Sequence, residues 1–227
     1  MLIKLKSLLP IRFKTYLKKF KKFNAYHNLD KKLLNYINYK NGFYIDCGAN
    51  DGVNASTTWH FEKYLNWHGL LIEPITEVYN KLKNNRNNNN YFYNCALVSK
   101  KYNQKEINFV FNNKDSLQAK IELGESPLKK NEKIITVKCK TLENILNNIK
   151  IPELIDFFSL DVEGYEFEAL EGINFNSVKF KYILVETEFP EKMNNFLTQK
   201  KFKFVERLSN YNFIEKPKYG DYLYKSV

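Results

Sequence analysis

Short apolar runs alternate with polar, helix-spaced stretches along this 227-residue chain. The first run, Phe43-Tyr44-Ile45, ends in Asp46 and turns through Gly48 and Gly52. The pattern predicts a strand over 42–46, a helix over 55–64, a strand over 69–72, a helix over 76–83 and a third strand over 91–98. Between about 100 and 140 the rhythm changes. Segments 106–111 and 133–140 read as strands separated by a polar loop with Gly124 and Pro127, an insertion or antiparallel pair overhanging the site. Alternation resumes with a helix over 142–148, a strand over 156–160, a helix over 165–170 and a strand over 181–186. Segments 202–208 and 222–225 predict a closing hairpin at the sheet edge. The fold class is α/β, with a mostly parallel central sheet, helices on both faces and an antiparallel C-terminal edge.

Ahead of the first strand, Phe13, Tyr16, Leu17, Phe20 and Phe23 recur near helical spacing among lysines, and Pro10 suits the first turn of a helix. Residues 1–40 read as a basic amphipathic arm, and 41–227 as one domain with 100–140 on its substrate side. The net charge is +11, of which the arm alone carries +10. The body is nearly neutral, which argues against a nucleic-acid groove and so against an RNA-modifying enzyme. The arm can pack its aromatic stripe on the domain or a partner, or residues 1–25 can touch the inner face of an anionic membrane. No apolar run reaches the length of a membrane span. Cys47, Cys95 and Cys139, odd in number and without C-x-x-C spacing, read as reduced thiols of a cytoplasmic protein. The tract 84–90, rich in asparagine, reads as a solvated loop. Nothing in the pattern sets an oligomeric state.

The candidate chemistry lies at strand ends. A glycine turn beyond a buried strand lets backbone approach a ligand closely. Glu73, at the tip of the second strand, is placed for both hydroxyls of a ribose. The spacing D-x-G-x-x-x-G differs from the dinucleotide G-x-G-x-x-G, which favours S-adenosylmethionine and disfavours a nicotinamide oxidoreductase. Asp161 and Glu186 end two further strands, so four carboxylates (Asp46, Glu73, Asp161, Glu186) share one sheet edge. His60, between Trp59 and Phe61, reads as a packing residue.

The chain from Phe43 to about Phe189 resembles the FkbM-type methyltransferases. The likeness rests on I-D-C-G-A-N-D-G (45–52), G-L-L-I-E-P (69–74) and S-L-D-V-E-G-Y-E-F-E-A-L-E-G (159–172). It implies a class I methyltransferase fold and S-adenosylmethionine as cofactor. It further implies methylation of a hydroxyl of a sugar, nucleotide sugar or glycan intermediate, in surface-polysaccharide or secondary-metabolite pathways. On this reading Asp46, Gly48, Ala49 and Asn50 meet the methionine portion, Asp51 or Ser56 bind its amino or carboxylate group, and Glu73 takes the ribose. Asn94 and Ala96 flank the adenine. Asp161 and Glu163 are the candidate base and orienting group, with Glu163 alternatively capping the next helix. Asp161 and Glu186 could instead hold a divalent metal. In 100–140, Lys114, Lys120, Lys129 and Lys130 could meet a phosphate of a nucleotide sugar or be solvated. A different class of reading is a non-catalytic methyltransferase-fold module, binding a partner protein or membrane through the arm.

Overall fold

The computed structural model describes residues 21–112, 115–121 and 131–227, leaving aside the side chains of 111–130. The arm helix expected over 11–23 falls largely outside the described residues, as do Gly124, Pro127 and the side chains of the four loop lysines. The elements, in chain order, are α1 (Leu29–Leu33), β1 (Phe43–Cys47), α2 (Trp59–Leu65), β2 (His68–Ile72), α3 (Thr76–Asn85), β3 (Tyr91–Tyr93) and β4 (Ala96–Leu97). There follow β5 (Glu106–Asn112), β6 (Asp115–Ile121), β7 (Glu132–Lys140), α4 (Leu142–Leu146) and β8 (Leu154–Leu160). The chain closes with α5 (Glu166–Glu171), β9 (Lys179–Thr187), α6 (Pro190–Gln199), β10 (Phe202–Arg207) and β11 (Gly220–Ser226).

The main sheet has seven strands in the order β3-β2-β1-β8-β9-β11-β10. Its first five strands are mutually parallel, and β11 runs antiparallel to both β9 and β10. Successive residues of a strand face opposite sides, and here both sides are covered, so the strands are apolar throughout. Ile45, Phe158 and Ile183 enter one core with Leu142 and Ile145 of α4, Leu170 of α5 and Met193 of α6. Their neighbours Tyr44, Phe157 and Leu184 enter the other, with Leu29, Leu33 and Ile37, Phe61 of α2 and Leu82 of α3. The stretch after α1 is thus packed into the body.

Several elements differ from the pattern-based expectation. The helix expected from residue 55 begins at Trp59, because Ala55 takes a left-handed φ of 59° and Ser56 Oγ accepts from the Trp59 amide at 3.1 Å. The strand expected over 91–98 breaks at Asn94, and β4 joins a second sheet ordered β4-β7-β5-β6. There β5 and β7 form the antiparallel pair, and β6 occupies part of the stretch read as loop. Helix α6 was not apparent in the pattern. The C-terminal hairpin closes the sheet edge as expected, with β10 outermost and β11 between it and β9.

Candidate active site

The strand order reverses at β1, which has β2 on one side and β8 on the other. A crevice opens at such a switch point, beyond the carboxyl ends of the strands. Asp46 projects from β1, Glu73 follows β2, Asp161 follows β8, and Glu186 is the penultimate residue of β9. A fifth carboxylate joins them. Because β11 is antiparallel it begins where the others end, so Asp221 lies in register with Glu186.

The glycine turn brings the β1 and β8 ends close together. Gly48 has a φ of 80°, and a Cβ there would overlap the Asp161 carbonyl oxygen. The amides of Gly48 and Ala49 both donate to the Ile72 carbonyl at 3.1 Å, and that of Asn50 donates to Glu73 Oε2 at 3.0 Å. These amides are therefore spent on the end of β2, and the turn presents its backbone edge and side chains to the crevice. Asp51 turns inward: its Oδ1 accepts from Val53 N at 3.0 Å and Asn54 N at 2.7 Å, capping the turn. Asn94 bridges two turns, donating to the carbonyls of Glu73 and Pro74 at 2.9 Å. Neither Asp51 nor Asn94 is on a cavity wall, whereas Gly48, Ala49, Asn50, Ser56 and Ala96 are.

Three open cavities meet here. The first, of about 650 Å³, runs from Gly48 and Glu73 along Cys95–Leu97 to Phe109, Val162 and Tyr165. Its largely apolar walls, with Glu73 among them, suit a purine nucleoside. The second, of about 780 Å³, lies across the glycine turn and carries Asp46, Ser56, Thr57, Glu186, Tyr219 and Asp221. The third, of about 1490 Å³, spreads beyond β9. Asp161 lines the first two, and Glu163 lines all three. Glu163 has a φ of 55°, a conformation that non-glycine residues hold only where surrounding structure enforces it. The turn ahead of α5 is held by Glu166, whose Oε1 accepts from Gly164 N at 2.9 Å and Val162 N at 3.3 Å.

Burial dominates the electrostatics. It raises Glu73 to about 7, against the lowering effect of the Ile75 and Asn50 amides. It raises Asp46 despite Thr58 Oγ1, which donates to it at 2.5 Å. Asp161 is pushed well above the carboxylate range, first by burial of its carboxyl, then by Glu186 and Glu163. Its Oδ1 is buried without a partner. Glu186 also accepts from Tyr219 Oη at 2.5 Å. Asp221 is raised to about 7 by burial and Glu186, although Ser209 Oγ donates to it at 2.5 Å. Burial beside two acidic neighbours therefore favours the neutral form of Asp161. A divalent metal would need a third ligand beside Asp161 and Glu186. Among the described residues no three His, Cys, Asp or Glu side chains converge to supply one, so the donor set does not fit a metal.

Sequence reasoning missed what lies behind the glycine turn. Arg86, in the tract read as a solvated loop, is buried and reaches Glu62 Oε2 at 2.8 Å. It also donates to Gly52 O at 3.1 Å, Ser56 Oγ at 3.3 Å, Thr58 Oγ1 at 3.1 Å and Tyr44 Oη at 2.7 Å. Thr58 then meets Asp46, so one guanidinium holds both arms of the turn. His60 packs as expected, stacked on Phe23 at 4.7 Å with Nδ1 2.9 Å from the Lys22 carbonyl.

No curated protein matches this chain. Among solved structures it is similar to methyltransferase FkbM from Methylobacillus flagellatus KT, with 13% identity, a TM-score of 0.53, and 89% of this chain covered. The match takes in 48% of that chain, about half its length. An S-adenosylmethionine-dependent methyltransferase from Clostridium acetobutylicum ATCC 824 aligns at 8% identity and a TM-score of 0.43, over 88% of this chain and 90% of that one. The first likeness, with the strand order above, shows the class I methyltransferase fold. The model of the methyltransferase FkbM domain matches residues 46–214, from Asp46 through the glycine turn and the Asp161 turn to beyond β10. The chain belongs to the FkbM methyltransferase family.

Proposed function

We propose that the protein is an S-adenosylmethionine-dependent O-methyltransferase acting on a sugar hydroxyl. The observation that carries this reading is that Asp161 and Glu186 share the wall of the cavity across the glycine turn, Asp161 also lining the nucleoside-sized cavity and Glu186 the wide one. The residues fit the cofactor. Ile72, Pro74, Leu97, Phe109 and Tyr165 can enclose an adenine, and Glu73 on the same wall can accept from a ribose diol. S-adenosylmethionine supplies a methyl group already activated on a cationic sulfur, and the ring of carboxylates favours that charge.

What remains for the protein is alignment and removal of one proton. Next to a positive charge Asp161 loses its proton more readily, because the repulsion that kept it protonated is offset. Its ionised oxygen can then take the hydroxyl proton of the acceptor. Glu186, braced by Tyr219, orients Asp161, and Glu163 at the meeting point of the cavities directs the acceptor. The basic arm, with its peripheral membrane contact and cytoplasmic setting, is a secondary part of the proposal.

Transfer of tritium from methyl-labelled S-adenosylmethionine to a panel of sugar glycosides tests the assignment. Asp161→Asn is expected to lower kcat by about 10²–10⁴-fold, as for loss of a general base. Turnover within threefold of wild type would remove Asp161 from the chemistry.

A further inference from the structure

The wide cavity beyond β9 is walled by features that select among sugars. Five carboxylates line it: Glu163, Glu166, Glu186, Glu188 and Glu215. Its one cation, Lys216, is 2.9 Å from Glu188 and so largely neutralised. Phe189, Phe213 and Tyr219 add aromatic rings to the wall, and Phe189 and Phe213 are 56% and 50% exposed. Phe213 is braced by Tyr219 at 5.6 Å and by Tyr211 at 5.7 Å, so its outer face is held toward the cavity.

We infer that this cleft receives a carbohydrate acceptor bearing no phosphate or carboxylate, with neutral and amine-bearing sugars both admitted. The inference rests on the methyl-transfer reading above and narrows its acceptor. The apolar C–H face of a pyranose packs on an aromatic ring while its hydroxyls donate to carboxylates. An ammonium would add cation–π and ionic attraction on the same walls. A nucleotide sugar would bring two phosphate charges into a lining that stays acidic after Lys216 and Glu188 offset each other, with no unpaired cation among its described lining residues. The cleft communicates with the reacting end through Glu163 and Glu186, which also line the smaller cavity holding Asp161. Asp161 Oδ1, buried and unpartnered, is the polar atom at that end.

The test uses the full chain saturated with S-adenosylhomocysteine, and three probes on one sugar skeleton. These are the glucosamine trisaccharide, its N-acetylated counterpart and UDP-N-acetylglucosamine, titrated by calorimetry at low and moderate salt. The inference predicts that the amine-bearing trisaccharide binds at least as well as the neutral one, and both at least about tenfold tighter than the nucleotide sugar, or about 1.4 kcal/mol. Glu215→Lys, at an exposed rim position, should narrow that gap by strengthening the nucleotide sugar and weakening the amine-bearing probe, and Phe213→Ala should weaken all sugar binding. Equal or tighter binding of the nucleotide sugar, or no binding of either trisaccharide, would overturn the inference. A protein that binds S-adenosylhomocysteine but fails this ranking loses only the acceptor assignment. One that ranks the sugars as stated but binds no S-adenosylhomocysteine keeps the cleft and loses the cofactor.

Discussion

Replacing Arg86 by Ala should be among the most damaging changes in the molecule, though Arg86 lines none of the three cavities. Its guanidinium is buried, with its Nε 2.8 Å from Glu62 Oε2. Burial works against the charge of Glu62, yet Arg86 together with the Tyr44 hydroxyl and Asn87 amide holds its carboxyl below the usual range. Removing the cation leaves a buried carboxylate uncompensated, a loss of about 3–5 kcal/mol in comparable buried pairs. A domain of this kind has about 5–15 kcal/mol to lose. With a urea slope of about 2–3 kcal/mol/M, the unfolding midpoint should fall by roughly 1–2 M. Trp59 and Trp67 give the fluorescence signal, since both are buried. The double variant Glu62→Gln/Arg86→Ala should recover part of the loss, because the stranded charge is gone. The pH dependence has a definite sign. Stability from Glu62 is fully present above its ordinary value of 4.5 and is lost as pH falls through its lower folded value, so the deficit of Arg86→Ala should shrink in acid. A midpoint shift below about 0.3 M, or no recovery in the double variant, would refute the reasoning.

Two other outcomes follow from the same geometry. Gly48→Ala, with φ at 80° and its Cβ directed into the Asp161 carbonyl, should abolish S-adenosylhomocysteine binding in a calorimeter while a distant Gly-to-Ala change does not. Glu73, Glu166 and Asp221 are each raised to about 7 by burial, so the stability they give is full near pH 4 and is lost as pH rises through 7. The ligand-free protein should therefore melt at a higher temperature at pH 5.5 than at pH 8, and Asp221→Asn should reduce that difference.

The parallel half of the fold was legible because its strands are apolar on both faces and each is followed by a helix-spaced segment. Asp46, Glu73, Asp161 and Glu186 could be placed on one edge from their position at strand ends alone. Asp221 could not, since its placement depends on β11 entering the sheet between β9 and β10, a long-range pairing with no local mark. A carboxylate immediately ahead of the last strand, read over 222–225 as part of an antiparallel edge, was the available signal. Arg86 was hidden by its neighbours: an asparagine-rich stretch resembles solvent-exposed loop, yet Asn90 and Arg86 are both buried on Tyr44 and Glu62. Asp51 and Asn94, read for ligand contact from their positions beside the glycine turn and in the third strand, also make local hydrogen bonds to backbone that the pattern did not mark.

The central claim is a nucleoside cofactor site built around Glu73, and calorimetric titration with S-adenosylhomocysteine tests it most directly. Wild type should bind in the micromolar range, and Glu73→Ala, verified as folded by its thermal melt, should bind at least tenfold more weakly, about 1.4 kcal/mol. Absence of binding to folded wild type, or equal affinity in the two proteins, would contradict the account.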